Sequence, residues 1–449
     1  MSTLITEAIV ITVDAEKRIF APGAIVIRED RITDVGPADL VGHRNPDVET
    51  RIEARGRVVM PGFVSTHNHL GYSVFRGRAE DIGHVAIQGL YVPMSLILRP
   101  EERAALANLS TAELLRGGVT TVLQMEEDAD ITAPFVEHIG MRAQMGIMAH
   151  DISVDHLNRG QTVFDERVRA AQLEQSVSFA EHIHGRANGR LQAVMAANTA
   201  ATSSPDLLRA LRDTADRMGV RVSMHMGVGE ADDVRKVHKS DVFGFARDNG
   251  FLDERAIAVH CYRVDQGDID LMASSGASLA HCPLMNQFRG AIAPVQTMRS
   301  SGIRVGLGID NYFSDHFDVI RSCIAVARIR ANDPSVVQSD EALAMATIDS
   351  AQVMGLEAEI GSLEAGKKAD LQVIDARRYG LTPLNDPLRT LIYHGHGKDI
   401  EMVMVDGRIV VADGKVVGVS EDDLIEHAST AGAAAWARFA ERHGGYVVL

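Results

Sequence analysis

Residues 61–70 read PGFVSTHNHL, an apolar run that ends in two histidines separated by one residue. Alternate residues of a strand point to the same side, so His67 and His69 present two imidazoles to one point while Asn68 faces away. A packing role would need only one histidine. The pair therefore indicates a site at the end of a strand, in a fold that brings several strand ends together.

The middle of the chain, from about Val58 to Ser350, alternates apolar runs with longer helical patterns. This order is typical of βα units around a parallel sheet, and eight such units favour a closed barrel over an open sheet. The candidate strands are RVVMPGF (57–63), VTTVLQM (119–125), MGIMAH (145–150), LQAVMAA (191–197), VRVSMHM (220–226), RAIAVHC (255–261), ASLAHC (277–282) and IRVGLGID (303–310).

Both ends of the chain are rich in short strand-like runs, such as GAIVIRED at 23–30 and IEMVMVDGRIVVADGKVVG at 400–418. Turn dipeptides such as DG and GK separate these runs. We expect a distorted (β/α)8 TIM barrel with a small composite β-sandwich domain formed by both termini. The predicted boundaries are 1–57 plus 361–420 for the β-sandwich domain, 58–360 for the barrel and 421–449 for a C-terminal helical segment.

Composition narrows the classes of function. Of the 449 residues, 46% are hydrophobic and 24% are charged, which is typical of a globular protein. The net charge of -16 disfavours nucleic acid and anionic membranes as partners, and a small-molecule substrate is expected instead. The three cysteines do not indicate a disulfide framework, and the N-terminal stretch lacks the basic segment of a signal peptide. These features predict a cytoplasmic protein.

Polar residues recur at the ends of the later candidate strands. These are His225, His260, His281 and Asp310. In a βα barrel all strand ends of this kind face one mouth, where active sites are built. Each residue alone would be an ordinary core histidine or turn aspartate, but their joint placement indicates a metal site. Imidazoles with one carboxylate suit Zn²⁺, with Fe²⁺ or Mn²⁺ as alternatives.

Three longer segments carry a family resemblance: VVMPGFVSTHNHLGYSVFRGRAED, AIAVHCYRVDQGDIDLMASSGASLAHCPLMNQFRG and IRVGLGIDN. They resemble the amidohydrolase superfamily, in its cytosine-deaminase and triazine-hydrolase branch. The resemblance implies one divalent metal, expected to be zinc, and a homo-oligomer. The residues that it implies as metal ligands are His67, His69, His225 and Asp310.

The same resemblance implies roles for four further positions, His260, His281, Asn286 and Arg76. His260 matches the histidine that touches the attacking water or the substrate, so His260 and Asp310 are the expected catalytic residues. The expected substrate-binding residues are His281, Asn286, Glu230 and Arg76.

The chain departs from this family at two strand ends. Deaminases of the family usually read His-x-x-Glu, whereas HMGVGE places Val228 at the glutamate position and Glu230 two residues later. Glu230 either reaches the substrate or is a solvated loop carboxylate. The end of the fourth strand, MAANTAATSSP, has no lysine that could bridge two metals, so one metal is favoured.

The expected activity is therefore that of a mononuclear metal-dependent hydrolase, which cleaves a C–N bond of a small N-heterocyclic compound by deamination. An amide, carbamate or carbon–halide hydrolase on the same scaffold is the alternative. A non-catalytic binding protein that keeps its metal as a clasp is disfavoured by the open set of ligands. A binuclear cyclic amidase is disfavoured by the missing lysine.

Overall fold

A computed structural model provides the structure, which describes residues 2–83, 86–153, 156 and 161–443. The predicted C-terminal segment runs to residue 449, and its last six residues lie outside the described part. Within the described ranges, no helix has both the length and the apolar composition that a membrane span requires.

The chain opens with a group of strands that are followed closely by the first barrel strand. These strands are β1 Ser2–Ile11, β2 Ile19–Arg28, β3 Arg31–Pro37, β4 Thr50–Glu53 and β5 Arg57–Pro61. Antiparallel pairing joins β1 to β2 and β2 to β3, whereas β4 and β5 run parallel to β1.

The barrel strands follow in chain order. They are β6 Phe63–Asn68, β7 Val119–Glu126, β8 Arg142–Ala149, β9 Leu191–Ala193, β10 Met195–Thr199, β11 Val222–Met226, β12 Ala256–His260, β13 Ser278–His281 and β14 Val305–Leu307. Neighbours pair in parallel in the order β6-β7-β8-β10-β11-β12-β13-β14, with the short β9 beside β8. The predicted barrel is confirmed, and its strand ends all face one mouth.

The last strands return to the sheet of the N-terminal segment. They are β15 Leu371–Asp375, β16 Ile400–Val405, β17 Arg408–Ala412 and β18 Lys415–Val416. Because β15 pairs antiparallel with β5, strands from both ends form one nine-stranded sheet in the order β18-β17-β16-β15-β5-β1-β2-β3, with β4 beside β1. A separate β element built from both termini is thereby confirmed.

One expected barrel strand is divided in the structure. The run 57–63 was expected to form the first barrel strand, but β5 belongs to the terminal sheet and the barrel begins with β6. The break is at Gly62, whose N–H donates to the Asp370 carbonyl at 3.1 Å. A Cβ at this position would lie 2.2 Å from the side chain of Thr120, so only glycine permits the close approach.

The barrel closes between its first and last strands at the mouth. The His69 N–H donates to the Asp310 carbonyl at 2.9 Å, and the Asp310 N–H donates to the His67 carbonyl at 3.0 Å. A parallel bridge pairs Asn68 with Asp310. The closing hydrogen bonds thus involve the same residues that the sequence identifies as candidate ligands.

Helices cover the outside of the barrel and flank the terminal sheet. They are α1 Ala38–Arg44, α2 Val92–Ser95, α3 Pro100–Arg116, α4 Ala129–His138, α5 Glu166–Ile183, α6 Pro205–Met218, α7 Ala231–His238, α8 Val242–Asp248, α9 Gln266–Ser275, α10 Pro283–Phe288, α11 Val295–Ser300, α12 His316–Ala331, α13 Ser339–Met345, α14 Ile348–Met354, α15 Pro387–His394 and α16 Glu421–His443. Single turns of 3₁₀ or π helix occur at Leu70–Phe75, Ile87–Tyr91, Ala200–Thr202, Tyr379–Leu381 and Gly397–Asp399.

Helix α6 shows how the local sequence fixes such an element. The Ser204 hydroxyl accepts the N–H of Leu207 at its start, and Gly219 ends it with φ of 68°. Its buried face includes Leu208 and Leu211, which pack into the barrel core. The three-residue spacing of these leucines is close to one helical turn, which is typical of a helix rather than a strand.

A buried ion-pair network joins the barrel to the terminal sheet. Arg142, at the start of β8, donates to both carboxylate oxygens of Asp370, at 2.8 and 3.1 Å, and also to Asp406. Burial of the guanidinium with two carboxylates makes this network costly to break from one side. The terminal sheet therefore supports the barrel at the N-terminal ends of its strands.

Candidate active site

Five polar side chains converge at the mouth of the barrel, from the ends of β6, β11 and β12 and from the residues after β14. They are His67, His69, His225, His260 and Asp310. Asp310 lies at their centre, because its Oδ1 is 3.5 Å from His67 Nε2 and 3.7 Å from His69 Nε2. Its Oδ2 is 3.6 Å from His260 Nε2. The two oxygens of one carboxylate therefore face different histidines.

The ring nitrogens of His67 and His225 face each other. Their Nε2 atoms are 3.3 Å apart, and the Nδ1 of His225 lies 2.9 Å from the carbonyl of Asn198. When Nδ1 donates to this carbonyl, Nε2 of His225 carries a lone pair that points at His67. A cation between these nitrogens would satisfy both.

The donor set fits a divalent metal. One ring nitrogen from each of His67, His69 and His225 lies within 4.8 Å of the others, and the same holds for ligand atoms of His67, His260 and Asp310. The Nδ1 atoms of His67, His69 and His260 are buried without a hydrogen-bond partner among the described residues. Imidazole nitrogens with one carboxylate are donors that zinc accepts.

Burial keeps the histidines of this cluster neutral. It lowers the pKa of His67 and of His225 to about 3. Burial also lowers the pKa of His69 and of His260 well below the usual histidine value. At pH 7 the four imidazoles therefore offer lone pairs to a metal with little competition from protons.

Two of the clustered residues have a strained backbone. His260 has φ of 73° and Asp310 has φ of 77°, in the left-handed region that residues with a Cβ rarely adopt. Such conformations cost about 1–3 kcal/mol each and concentrate at functional sites. The strain turns both side chains at the strand ends toward the mouth.

Arg289 also reaches this cluster, although the sequence analysis did not single it out. Its Nη1 lies 3.7 Å from Asp310 Oδ2, and its side chain is only 10% exposed. With its amide nitrogen toward Asp310, Asn311 donates to Oδ1 at 2.8 Å and accepts from Arg289 Nη2 at 3.0 Å. Arg289 could have been identified from helical spacing, because it follows the expected substrate residue Asn286 by three positions and residues so spaced lie on one helix face.

Two expected substrate-binding residues, His281 and Asn286, are buried on the neighbouring element. His281 ends β13, and Asn286 lies in α10, which follows it directly. Both ring nitrogens of His281 and both amide atoms of Asn286 have no partner among the residues that the structure describes. Burial lowers the pKa of His281 to about 4, so its ring is neutral. Their role in binding substrate stays a prediction.

Glu230 is neither solvated nor directed at the cluster. Its carboxylate accepts the N–H of Gly227 at 2.8 Å and the N–H of Val228 at 2.7 Å. The residue is 7% exposed. The interpretation of Glu230 as a solvated loop carboxylate is therefore corrected, because the carboxylate is buried in the backbone of its own turn.

Arg76 lies away from the clustered side chains. Its guanidinium pairs with Glu113 at 2.8 Å and donates to the Tyr312 carbonyl at 3.1 Å, and 43% of its side chain is exposed. These contacts connect the turn after β6 to α3 and to the loop after β14. The structure gives Arg76 a bracing position rather than a contact with the cluster.

A small cavity beside His69 contains acidic and phenolic groups that the sequence analysis missed. The ring of Tyr72 stacks on that of His69, with centroids 4.8 Å apart and planes at 21°. Tyr72, Tyr91 and Glu126 are among the residues that line the cavity. Glu126 accepts the N–H of Gly71 at 2.6 Å, and burial raises the pKa of its carboxyl to about 7.

Comparison with known proteins gives consistent results. Residues 58–410 match the amidohydrolase family. A 5-methylthioadenosine/S-adenosylhomocysteine deaminase of Symbiobacterium thermophilum is 33% identical over 90% of this chain and 92% of its own. An adenosine deaminase from Xanthomonas campestris with bound zinc shares the fold at a TM-score of 0.87 and 22% identity, covering 97% of this chain and 98% of its own. An atrazine chlorohydrolase from Arthrobacter aurescens complexed with zinc shares the fold at a TM-score of 0.86 and 21% identity, covering 96% of this chain and 100% of its own.

Proposed function

This chain belongs to the amidohydrolase family, and we propose that it is a hydrolase that uses one divalent metal ion and water to release ammonia from a small N-heterocyclic compound. The observation that carries this proposal is the convergence of three neutral histidines, His67, His69 and His260, on the two oxygens of Asp310, with a fourth, His225, facing His67. An open set of such ligands at a barrel mouth is suited to catalysis rather than to a structural clasp.

The proposed metal ligands are His67, His69, His225 and Asp310. Their buried and mutually facing donor atoms support this assignment. A divalent ion bound here supplies Lewis acidity, which lowers the pKa of water from 15.7 toward about 7. Zinc is the proposed ion, supported by the two zinc-containing proteins of the same fold.

Asp310 and His260 are the proposed catalytic residues. Oδ2 of Asp310 has no hydrogen-bond partner among the described side chains and faces His260, so it is placed to accept the proton of the attacking water. The neutral ring of His260 is placed to hydrogen-bond with the oxygen of the attacking water and so to orient it. Asp310 then returns the proton to the leaving nitrogen, and ammonia departs.

The relatives support a purine-like ring as the substrate, since the Symbiobacterium protein is described as a deaminase of 5-methylthioadenosine and S-adenosylhomocysteine. Val228 stands where the deaminase glutamate is expected, and both oxygens of Glu230 are used by backbone N–H groups. Asp310 must therefore provide both proton transfers in this proposal. A substrate whose leaving group needs little protonation would react most readily.

Carbon–halide hydrolysis is the second candidate, because chloride leaves without a proton. The Val228 position and the occupied Glu230 carboxylate favour it, and the chlorohydrolase of the same fold is consistent with it. Amide and carbamate hydrolysis are further alternatives, since a carbonyl carbon needs no ring protonation.

The deciding experiment combines elemental analysis with a release assay. The purified protein is assayed for metal per chain, and for ammonia and chloride release from adenosine derivatives, purines, pterins and aminated or chlorinated triazines. One zinc per chain with ammonia release supports the proposal. Chloride release alone supports the second candidate, and a protein with no bound metal and no turnover would contradict both.

Three further expectations are also proposals at this point. The domain boundaries at 57, 360 and 420, the cytoplasmic location and the homo-oligomeric state follow from the sequence and from the family resemblance. The three buried free cysteines are compatible with a reducing compartment.

A further inference from the structure

Arg289 is a buried cation, and the carboxylate that lies within ion-pair distance of it belongs to Asp310, which also faces the histidines of the cluster. Its guanidinium hydrogen-bonds to the Tyr91 hydroxyl and to Asn311, and its Nη1 is 3.7 Å from Asp310 Oδ2. That separation exceeds ordinary hydrogen-bond length. A guanidinium has five N–H groups, so part of its donor capacity is left for another acceptor.

The demand for another acceptor grows when Asp310 binds a metal. A buried arginine is normally paired with a carboxylate of its own, because an uncompensated buried charge is costly. Asp310 is the carboxylate within ion-pair distance of Arg289 in the described part of the chain, and Asp310 is also a proposed metal ligand. A negative or strongly accepting group of the substrate would complete the pairing.

Asn286 provides a second, independent observation. It is 1% exposed, and neither its amide nitrogen nor its amide oxygen has a partner among the described residues. The Arg289 N–H donates to the Asn286 carbonyl at 3.0 Å, so the two residues are one helical turn apart at the end of α10. Residues with this spacing lie on the same face of a helix, so the unsatisfied amide and the guanidinium belong to one face at the C-terminal end of α10.

The balance of donors and acceptors points to the type of ligand. Glu230, the carboxylate two residues after the position of the deaminase glutamate, already accepts two N–H groups of its own turn. Arg289 provides only N–H donors, whereas the Asn286 amide can both donate and accept. A ring that carries only amino groups offers further donors, whereas a ring with a carbonyl or carboxylate oxygen offers the missing acceptor.

We infer that Arg289 and Asn286 form a subsite for an accepting oxygen on the substrate, and that the substrate is an N-heterocyclic amine bearing a ring carbonyl or a carboxylate near the carbon that is hydrolysed. This inference rests on the proposed function for its reaction. Recognition of the oxygen is separate from turnover and is measured by binding alone. Arg289 is thereby a specificity-determining residue.

The test measures binding to the zinc-loaded protein by isothermal titration calorimetry, with pairs of rings that differ in the oxygen. Guanine against 2,6-diaminopurine and ammeline against melamine compare a ring carbonyl with an amino group. Pterin-6-carboxylate against pterin tests the carboxylate. In at least one pair, the oxygenated ring is expected to bind the wild type at least about tenfold more tightly.

The variant Arg289→Gln is expected to reduce that preference to within about threefold. Arg289→Lys keeps the charge but loses the planar pair of donors, and is expected to lose most of the preference. If Arg289→Gln is unstable or loses zinc, the binding preference of Arg289→Lys is the test of the subsite. Arg304→Gln, at an exposed arginine that bonds the Gly276 carbonyl before β14, is the matched control and should keep the preference.

The outcomes separate this inference from the proposed function. An oxygen preference that depends on Arg289 supports the subsite, even if no ring releases ammonia. Ammonia release with equal binding of both members of every pair supports the function and overturns the subsite. The absence of binding or of preference in all three pairs would also overturn it.

Discussion

Oδ1 of Asp310 lies 3.5 Å from Nε2 of His67, so the side chains connect the end of the last barrel strand to the end of the first. The backbones of the two residues are also hydrogen-bonded, through the Asp310 N–H and the His67 carbonyl at 3.0 Å. Closure of the barrel and assembly of the ligand cluster are therefore one structural event.

Replacing Asp310 tests the proposed mechanism. Asp310→Asn keeps the size of the side chain but removes its ability to accept a proton, so kcat is expected to fall by at least about a thousandfold. Steady-state release assays give this value. Asp315→Asn is the matched control, because Asp315 caps α12 and accepts the N–H of Gly397 away from the cluster, and it should keep kcat within a few-fold. A normal kcat in Asp310→Asn would refute the mechanism.

The proposed metal ligands are tested by metal content. His225→Ala is expected to reduce bound zinc to well below one per chain, since it removes a nitrogen that faces His67 at 3.3 Å. His281→Ala removes a buried histidine from the next strand but one and should keep about one zinc per chain. Elemental analysis after dialysis measures both variants. Equal zinc content in the two proteins would mean that His225 is not a ligand.

Glu230 is expected to act on stability rather than on turnover. Glu230→Ala leaves the buried N–H groups of Gly227 and Val228 without their acceptor, which costs about 1–3 kcal/mol of unfolding free energy. The value of kcat is expected to stay within about tenfold. Urea unfolding and steady-state kinetics measure the two quantities. A thousandfold loss of kcat in a folded variant would show that the carboxylate reaches the substrate after all.

Glu126 predicts a dependence of stability on pH. Burial raises the pKa of its carboxyl from 4.5 to about 7, so the protonated form is favoured in the folded state. Its stabilising contribution is present below pH 4.5 and is lost as the pH rises through about 7. This corresponds to about 3 kcal/mol over that interval.

Glu126→Gln cannot ionise at this position, so its unfolding free energy relative to the wild type should increase between pH 5 and about pH 8. Chemical unfolding at several pH values measures the difference. Glu113→Gln, which removes a half-exposed partner of Arg76, is the control and should show little pH-dependent difference. Parallel curves for wild type and Glu126→Gln would indicate that Glu126 ionises normally.

Much of this architecture could be predicted from local patterns. Strand-end histidines and alternating βα units identify the barrel, and the same positions give the residues that cluster around Asp310. The break at Gly62 could not be predicted, because it depends on the contact with Thr120 on another strand. The sequence around Gly62 does not indicate which residue of another strand will lie against it.

The positions of the residues around the cluster were harder to predict from the sequence for the same reason. Arg289 reaches Asp310 because α10 begins two residues after the end of β13 and ends at Phe288, one residue before Arg289. A solvated carboxylate was one of the two expectations for Glu230, yet the turn of its own loop folds around that carboxylate. Both outcomes depend on how a short loop bends, which hydrophobic periodicity does not specify.

The left-handed backbone at His260 and Asp310 has a consequence for directed evolution of this protein. Glycine adopts that conformation without strain, so a selection for heat resistance alone would favour glycine at both positions. Each change would remove a side chain that the proposed reaction needs. A selection that requires survival at high temperature and product formation together would have to find its stabilising changes elsewhere, for example at the interface around Arg142.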